Sequence, residues 1–215
     1  LYSNTTAIYN TAVGYQSMYS NTTGARSVAF GDRTLFANTT GERHVAIGSE
    51  VLSSNTTGVY NTAVGWRSLS TNTTGSENTA LGYYSLLVNV TGAYNVAIGA
   101  ATLQNNTASY NTAVGYTAGT GNTTGVGLVA VGNEAGYTNS TGNANTFIGA
   151  SAGKSNTTAS DNTAVGANAL CYNTTGTANT AIGNGVYGLT QGPLGNNTTG
   201  SYNVAVETQA LQSNT

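Results

Sequence analysis

The chain has 215 residues, long enough for one or two ordinary domains, yet only 6 % are charged, against roughly 25 % in typical soluble proteins. A net charge of −2 and five scattered basic residues exclude an electrostatic footprint for nucleic acid or a lipid-binding basic face. No apolar run is long enough for membrane insertion as a helix, and Cys171, the single cysteine, has no partner for an intrachain disulfide.

The first residues already belong to a repeat that runs through the chain. Counted from the Asn of each Asn-x-Thr, copies begin at Asn4, Asn21, Asn38, Asn55, Asn72, Asn89, Asn105, Asn122, Asn139, Asn156, Asn173 and Asn197. The step is 17 residues, shortened to 16 before Asn105 and lengthened to 24 before Asn197. Twelve full copies make 1–215 one repeat domain, with an inserted loop around 184–196 that holds the sole proline, Pro193. The chain opens on Leu1-Tyr2-Ser3, positions 15 to 17 of a copy, and stops at Asn214-Thr215. Without polar capping segments, the expectation is a window of a longer chain or subunits stacked end to end.

Within each copy the elements follow in order. Asn-Thr-Thr-Gly at positions 1 to 4 predicts a corner. Positions 7 to 10 predict a short strand, first Asn10–Val13, then Ser27–Phe30, and so on to Asn203–Val206. Position 8 is Thr or Val and position 10 is Val, Ile, Leu or Phe, so alternation assigns these two columns to the core. Ala at position 9, with Phe147 the exception, then shares the opposite face with Asn at position 7. So constant a small residue implies close approach, either by another chain or by the opposite wall of a narrow coil. Gly at position 11 predicts a turn, and positions 13 to 17, with Leu or Met usual at 15, predict a second strand. A 17-residue unit cannot bury a core alone, so the fold expected is all-β, a parallel β-solenoid of about twelve coils. In-register stacking would also set Arg33, Glu50 and Arg67 of position 13 into an alternating charge ladder.

Ser27-Val28-Ala29-Phe30-Gly31, His44-Val45-Ala46-Ile47-Gly48 and Asn95-Val96-Ala97-Ile98-Gly99 resemble the SVAIG-type repeats of trimeric autotransporter adhesin heads. Asn10-Thr11-Ala12-Val13-Gly14-Tyr15-Gln16-Ser17-Met18 is similar to repeats of phage-type tail fibres and environmental fibre proteins. The resemblance implies a left-handed β-roll, often trimeric, in an extracellular, cell-surface or virion-surface fibre.

Two readings of the Asn-x-Thr column compete. Each Asn, from Asn4 to Asn197, is a candidate N-glycosylation acceptor, or the column is an amide and hydroxyl ladder along the stack. Asn196-Asn197-Thr198 adds an overlapping sequon. Tyr15, Trp66, Tyr83 and Tyr116 of position 12 are candidate surface-binding residues, or cross-strand stacking on the exterior. His44 stands where Asn usually stands and reads as a substituted ladder residue; Cys171 reads as filler, although Lys154 one coil earlier could lower its thiol pKa. Carboxylates fall in different columns, so no catalytic pair, metal set or cofactor loop is expected, and the chain does not read as an enzyme. The function expected is a structural fibre, self-associating end to end or as a trimer. The alternatives are a glycan-binding adhesin or tail-fibre module and, third, an ice-binding protein with rows of Thr.

Overall fold

The computed structural model describes residues 1–185, 192–212 and 214. It divides into two compact units, Leu1–Tyr110 and Asn111–Thr215. Each is a parallel β-solenoid, and no helix occurs among the described residues.

The first unit carries β1 (Thr11–Val13), β2 (Val28–Phe30), β3 (Val45–Ile47), β4 (Thr62–Val64), β5 (Thr79–Leu81) and β6 (Val96–Ile98). The second carries β7 (Thr112–Val114), β8 (Val129–Val131), β9 (Thr146–Ile148), β10 (Thr163–Val165), β11 (Thr180–Ile182) and β12 (Val204–Val206). Within a unit each strand pairs parallel with the next, and like residues meet: Ala29 opposite Ala46, Ala46 opposite Ala63, Ala164 opposite Ala181. That register is the 17-residue coil. Ala181 still meets Ala205 across the 24-residue step, so the strand register is kept. Residues 186–191 of the expected inserted loop lie outside the described residues. Pro193 and Leu194 are back in the coil, buried, with Leu194 N–H bonded to the Ala210 carbonyl at 3.0 Å.

Strands stop after three residues because position 11 turns in a conformation that a Cβ resists. Gly65 has φ 120°, and a Cβ there would lie 2.7 Å from the Gly82 carbonyl. The predicted second strand over positions 13 to 17 does not form. Positions 13 and 15 instead adopt left-handed φ, as at Arg33 (49°), Leu35 (51°), Arg67 (56°) and Leu69 (51°). Alternating left-handed residues curl the chain back in one tight turn, which an extended strand could not do.

The predicted core is inverted. Ala at position 9 is buried in β2–β12 except where Phe147 takes its place, and Phe147 is buried too. The columns at positions 8 and 10 face outward, with Phe30 56 % and Ile47 39 % exposed. Inside, the position-9 column faces the position-15 column, where Met18, Leu35, Leu52, Leu69, Leu86 and Leu103 are fully buried. The coil is too narrow for two large rows. One wall must be Ala if the other is Leu, and of the two explanations for constant Ala the opposite wall is the one realised.

Asn fills the rest of the interior at little penalty, because nearly all of its buried amide groups among the described residues have partners. Asn38 Nδ2 donates to Asn21 Oδ1 at 2.8 Å and to the Gly41 carbonyl at 2.9 Å; Asn55 repeats the pattern on Asn38. At position 7, Asn61 Oδ1 accepts the Asn78 N–H at 3.0 Å. At the corner, the N–H groups of Thr22, Thr23 and Gly24 converge on the Thr39 carbonyl, joined by Thr22 Oγ1 at 2.9 Å.

Candidate functional site

The feature that calls for a functional account is the outward strand face. Apolar side chains normally leave a solenoid's surface for its core. Here the coil interior is already full, so Val, Ile, Leu and Phe of position 10 stand outside, coil after coil. In the first unit Phe30, Ile47 and Ile98 are 56, 39 and 38 % exposed, with Val64 and Leu81 half-buried between neighbours. In the second unit Ile148, Ile182 and Val206 are 40, 41 and 55 % exposed. Val and Thr of position 8 run beside them as a second column. In-register pairing makes both columns continuous, because each strand sets position 10 beside position 10.

Aromatic rings edge this face, but not as one continuous site. Trp66 and Tyr83 are joined in adjacent coils, with ring centroids 5.3 Å apart, and Tyr84 stacks on both at 5.1 and 4.1 Å. Tyr15 is separated from Trp66 by Asp32 and Ser49 of the same column. Tyr116 stands in the second unit, followed there by Asn133 and Ala150. Thus only Trp66 and Tyr83 of the four predicted residues come together. On position 6, Tyr94 and Tyr110 stack at 5.1 Å; on position 16, Tyr2, Tyr19 and Phe36 stack at 4.8 and 5.5 Å.

The Asn-x-Thr column is placed inside. Asn21, Asn38, Asn55, Asn72, Asn89, Asn122, Asn139, Asn156, Asn173 and Asn197 are fully buried, the arrangement that the ladder reading of the column describes. Asn4 belongs to the same column and is exposed, its Nδ2 donating to the Ala7 carbonyl. The seventh copy is one residue out of step with the reading above. Asn106, not Asn105, occupies the buried column, and Asn105 is exposed at position 17 of the preceding coil. The missing residue falls between Asn106 and Ala108, whose carbonyl takes the Asn106 amide at 2.8 Å, and it leaves Asn89 Oδ1 buried without a partner.

The charged residues do less than a complete ladder. Glu50 lies 3.2 Å from Arg67 Nε, while Arg33 sits over the Phe36 ring at 4.8 Å. Lys154 and Glu134 make a 2.7 Å pair between coils. Burial pushes the Cys171 thiol above its usual range despite Lys154, the reverse of an activated nucleophile. His44 is buried at position 7, its Nδ1 taking the Asn61 N–H at 3.3 Å, and burial lowers its pKa to about 4. Among the described residues, no group of three or more His, Cys, Asp or Glu could hold a metal ion. Among the described residues, no helix is long and apolar enough to cross a membrane.

The outward columns and the left-handed turn had signals that pattern reading passed over. Val and Ile, which a φ above zero strains most, are absent from positions 6 and 15 of the copies. A buried strand would favour those same residues, so their absence at position 15 argues against one. Comparison with models of known families, with curated proteins and with solved structures returns no match for this chain.

Proposed function

We propose that the chain is a structural element of an extracellular or particle-surface fibre, whose coils associate side by side with further copies through the outward strand face. The observation that carries the reading is the exposed Val/Ile/Leu/Phe column on in-register strands. An extended apolar surface on a β-face marks an interaction site. A repeating face is best matched by another copy of itself, since only an object of the same coil spacing keeps every contact in step. Three such faces turned inward close a trimer, the association that the resemblance to adhesin heads implies; low charge and a single thiol support a place outside the cell.

The test is the assembly state of Ile47→Asp together with Val64→Asp, compared with the unaltered chain by sedimentation velocity. Both side chains face outward, so the coil is expected to persist by circular dichroism while the oligomer falls to monomer. A wild-type chain that is monomeric at high micromolar concentration ends the proposal. One observation favours glycan binding as a second reading: the joined Trp66–Tyr83–Tyr84 cluster, with Trp66 44 % and Tyr83 47 % exposed, offers ring faces at the edge of the strand surface.

A further inference from the structure

We propose that Asn105 and Asn196 are N-glycosylation sites, and that the folded coil excludes sugar from the buried ladder asparagines. The proposal rests on the extracellular reading only in that the chain must meet a glycosyl donor. Attachment joins the Asn Nδ2 to the anomeric carbon of an oligosaccharide carried on a lipid pyrophosphate. The anomeric C–O bond breaks, its electron pair leaves with the lipid pyrophosphate, and the amide gives up one proton. The amide must therefore be reached from solvent, and the linked nitrogen keeps a single N–H.

Ladder asparagines fail on both counts. Asn55 is fully buried, and its Nδ2 donates at 2.8 Å to Asn38 Oδ1 and at 3.1 Å to the Gly58 carbonyl. A sugar on that nitrogen would replace one of these bonds and fill space occupied by the neighbouring coil. Asn105 and Asn196 are different. Both are exposed, and each has an exposed Thr two residues on, Thr107 and Thr198. Each immediately precedes a ladder residue, Asn106 or Asn197, so the doubled Asn supplies one residue for the ladder and one for the surface. Both occupy position 17, one in each unit. With Asn4 the other exposed acceptor, no two exposed acceptors fall in adjacent coils, which avoids the crowding that a sugar on every coil, about 4.8 Å apart, would bring.

The position suits the fibre. Phe147, on the inner side of β9, fills the space beside Gly153 of position 15, so positions 9 and 15 belong to opposite walls of the coil. Position 17 follows position 15 by two residues and directly precedes the corner, so it lies outside the strand columns. A glycan there leaves the apolar strand face clear for another copy.

The experiment is secretion of the chain from a eukaryotic host, with Asn4→Gln throughout and a flexible tail carrying one reporter sequon. Site occupancy is read by peptide mass spectrometry before and after removal of N-glycans. Sugar is expected on Asn105 and Asn196 and none on Asn55 or Asn139; Asn105→Gln and Thr107→Ala should each remove the same single glycan. Secreted, folded protein with sugar on Asn55 or Asn139 overturns the proposal. So do bare Asn105 and Asn196 beside an occupied reporter. The fibre reading is judged separately, on unglycosylated chain from a bacterial cytoplasm, so one result can fail without the other.

Discussion

The coils of the first unit and the middle coils of the second solve the same packing problem with different residues. In the first unit, Leu at position 15 holds φ near 50° and fills the core against Ala of position 9. A left-handed φ on Leu costs roughly 1–2 kcal/mol at each such coil, offset by complete burial of its side chain. In the second unit, Gly119, Gly136 and Gly153 take the same backbone shape at φ 57–60° with no Cβ to strain. They also leave the core unfilled, and the volume is restored from the facing wall. Phe147 replaces Ala at position 9, and Leu128 replaces Asn at position 7; both are fully buried. A Cβ on Gly136 would lie 2.9 Å from the Phe147 ring and 3.6 Å from Leu128. The backbone turn is therefore the fixed quantity, and side-chain volume is free to move from one wall to the other.

The strongest way to break this comparison is Phe147→Ala, which leaves Gly136 and Gly153 facing an empty core. A loss of about 3–5 kcal/mol is expected from urea unfolding. Gly153→Leu added to Phe147→Ala converts the coil to the first-unit pattern and should recover more than half of that loss. Failure of the double variant to exceed Phe147→Ala would show that the two walls do not share one volume.

A smaller contrast sets His44 against the Asn that holds its position in most copies. Burial keeps His44 neutral with a pKa of about 4, below its ordinary 6.5. The unfolded chain takes up the proton first, so stability is full above pH 6.5 and falls as pH drops towards 4. The total is on the order of 3 kcal/mol. His44→Asn should flatten that part of the pH profile. An unchanged acid slope would assign the sensitivity elsewhere.

The smallest effect sharpens the comparison at the short coil. Inserting one Thr between Asn106 and Thr107 restores the 17-residue step and lets Asn106 reach Asn89 Oδ1, the ladder acceptor left unpaired. A gain of about 1 kcal/mol is expected from thermal or urea unfolding. A loss would mean that the corner has adapted to its deletion.

Most of the architecture was legible in the sequence, because periodicity is a direct physical record of stacking. The copies of Asn-x-Thr fixed the coil length, and Ala-Val-Gly marked where each strand ends. What could not be read was which side of the strand faces in. Alternation along Thr62-Ala63-Val64 separates two faces, and hydrophobicity assigned Val64 to the core. That choice fails where the coil is narrow and its interior is filled by Leu69 and laddered Asn. The candidate sites divide in the same way: Trp66 and Tyr83 followed from column spacing, while Asn105 was displaced by a one-residue deletion that sequence alone places ambiguously. Left-handed Leu69 had only a negative signal, the missing β-branched residues.

One property of the Asn ladder reaches past stability. Every rung in the first unit points the same way, Asn38 to Asn21, Asn55 to Asn38, Asn72 to Asn55 and Asn89 to Asn72. The amide dipoles of such a column add rather than cancel, as peptide dipoles do along a helix. A stack of identical coils thus has a positive pole and a negative pole, although its charged residues are few. The ladder alone would offer a further coil amide donors at one pole and amide acceptors at the other, an end-to-end asymmetry written in uncharged side chains.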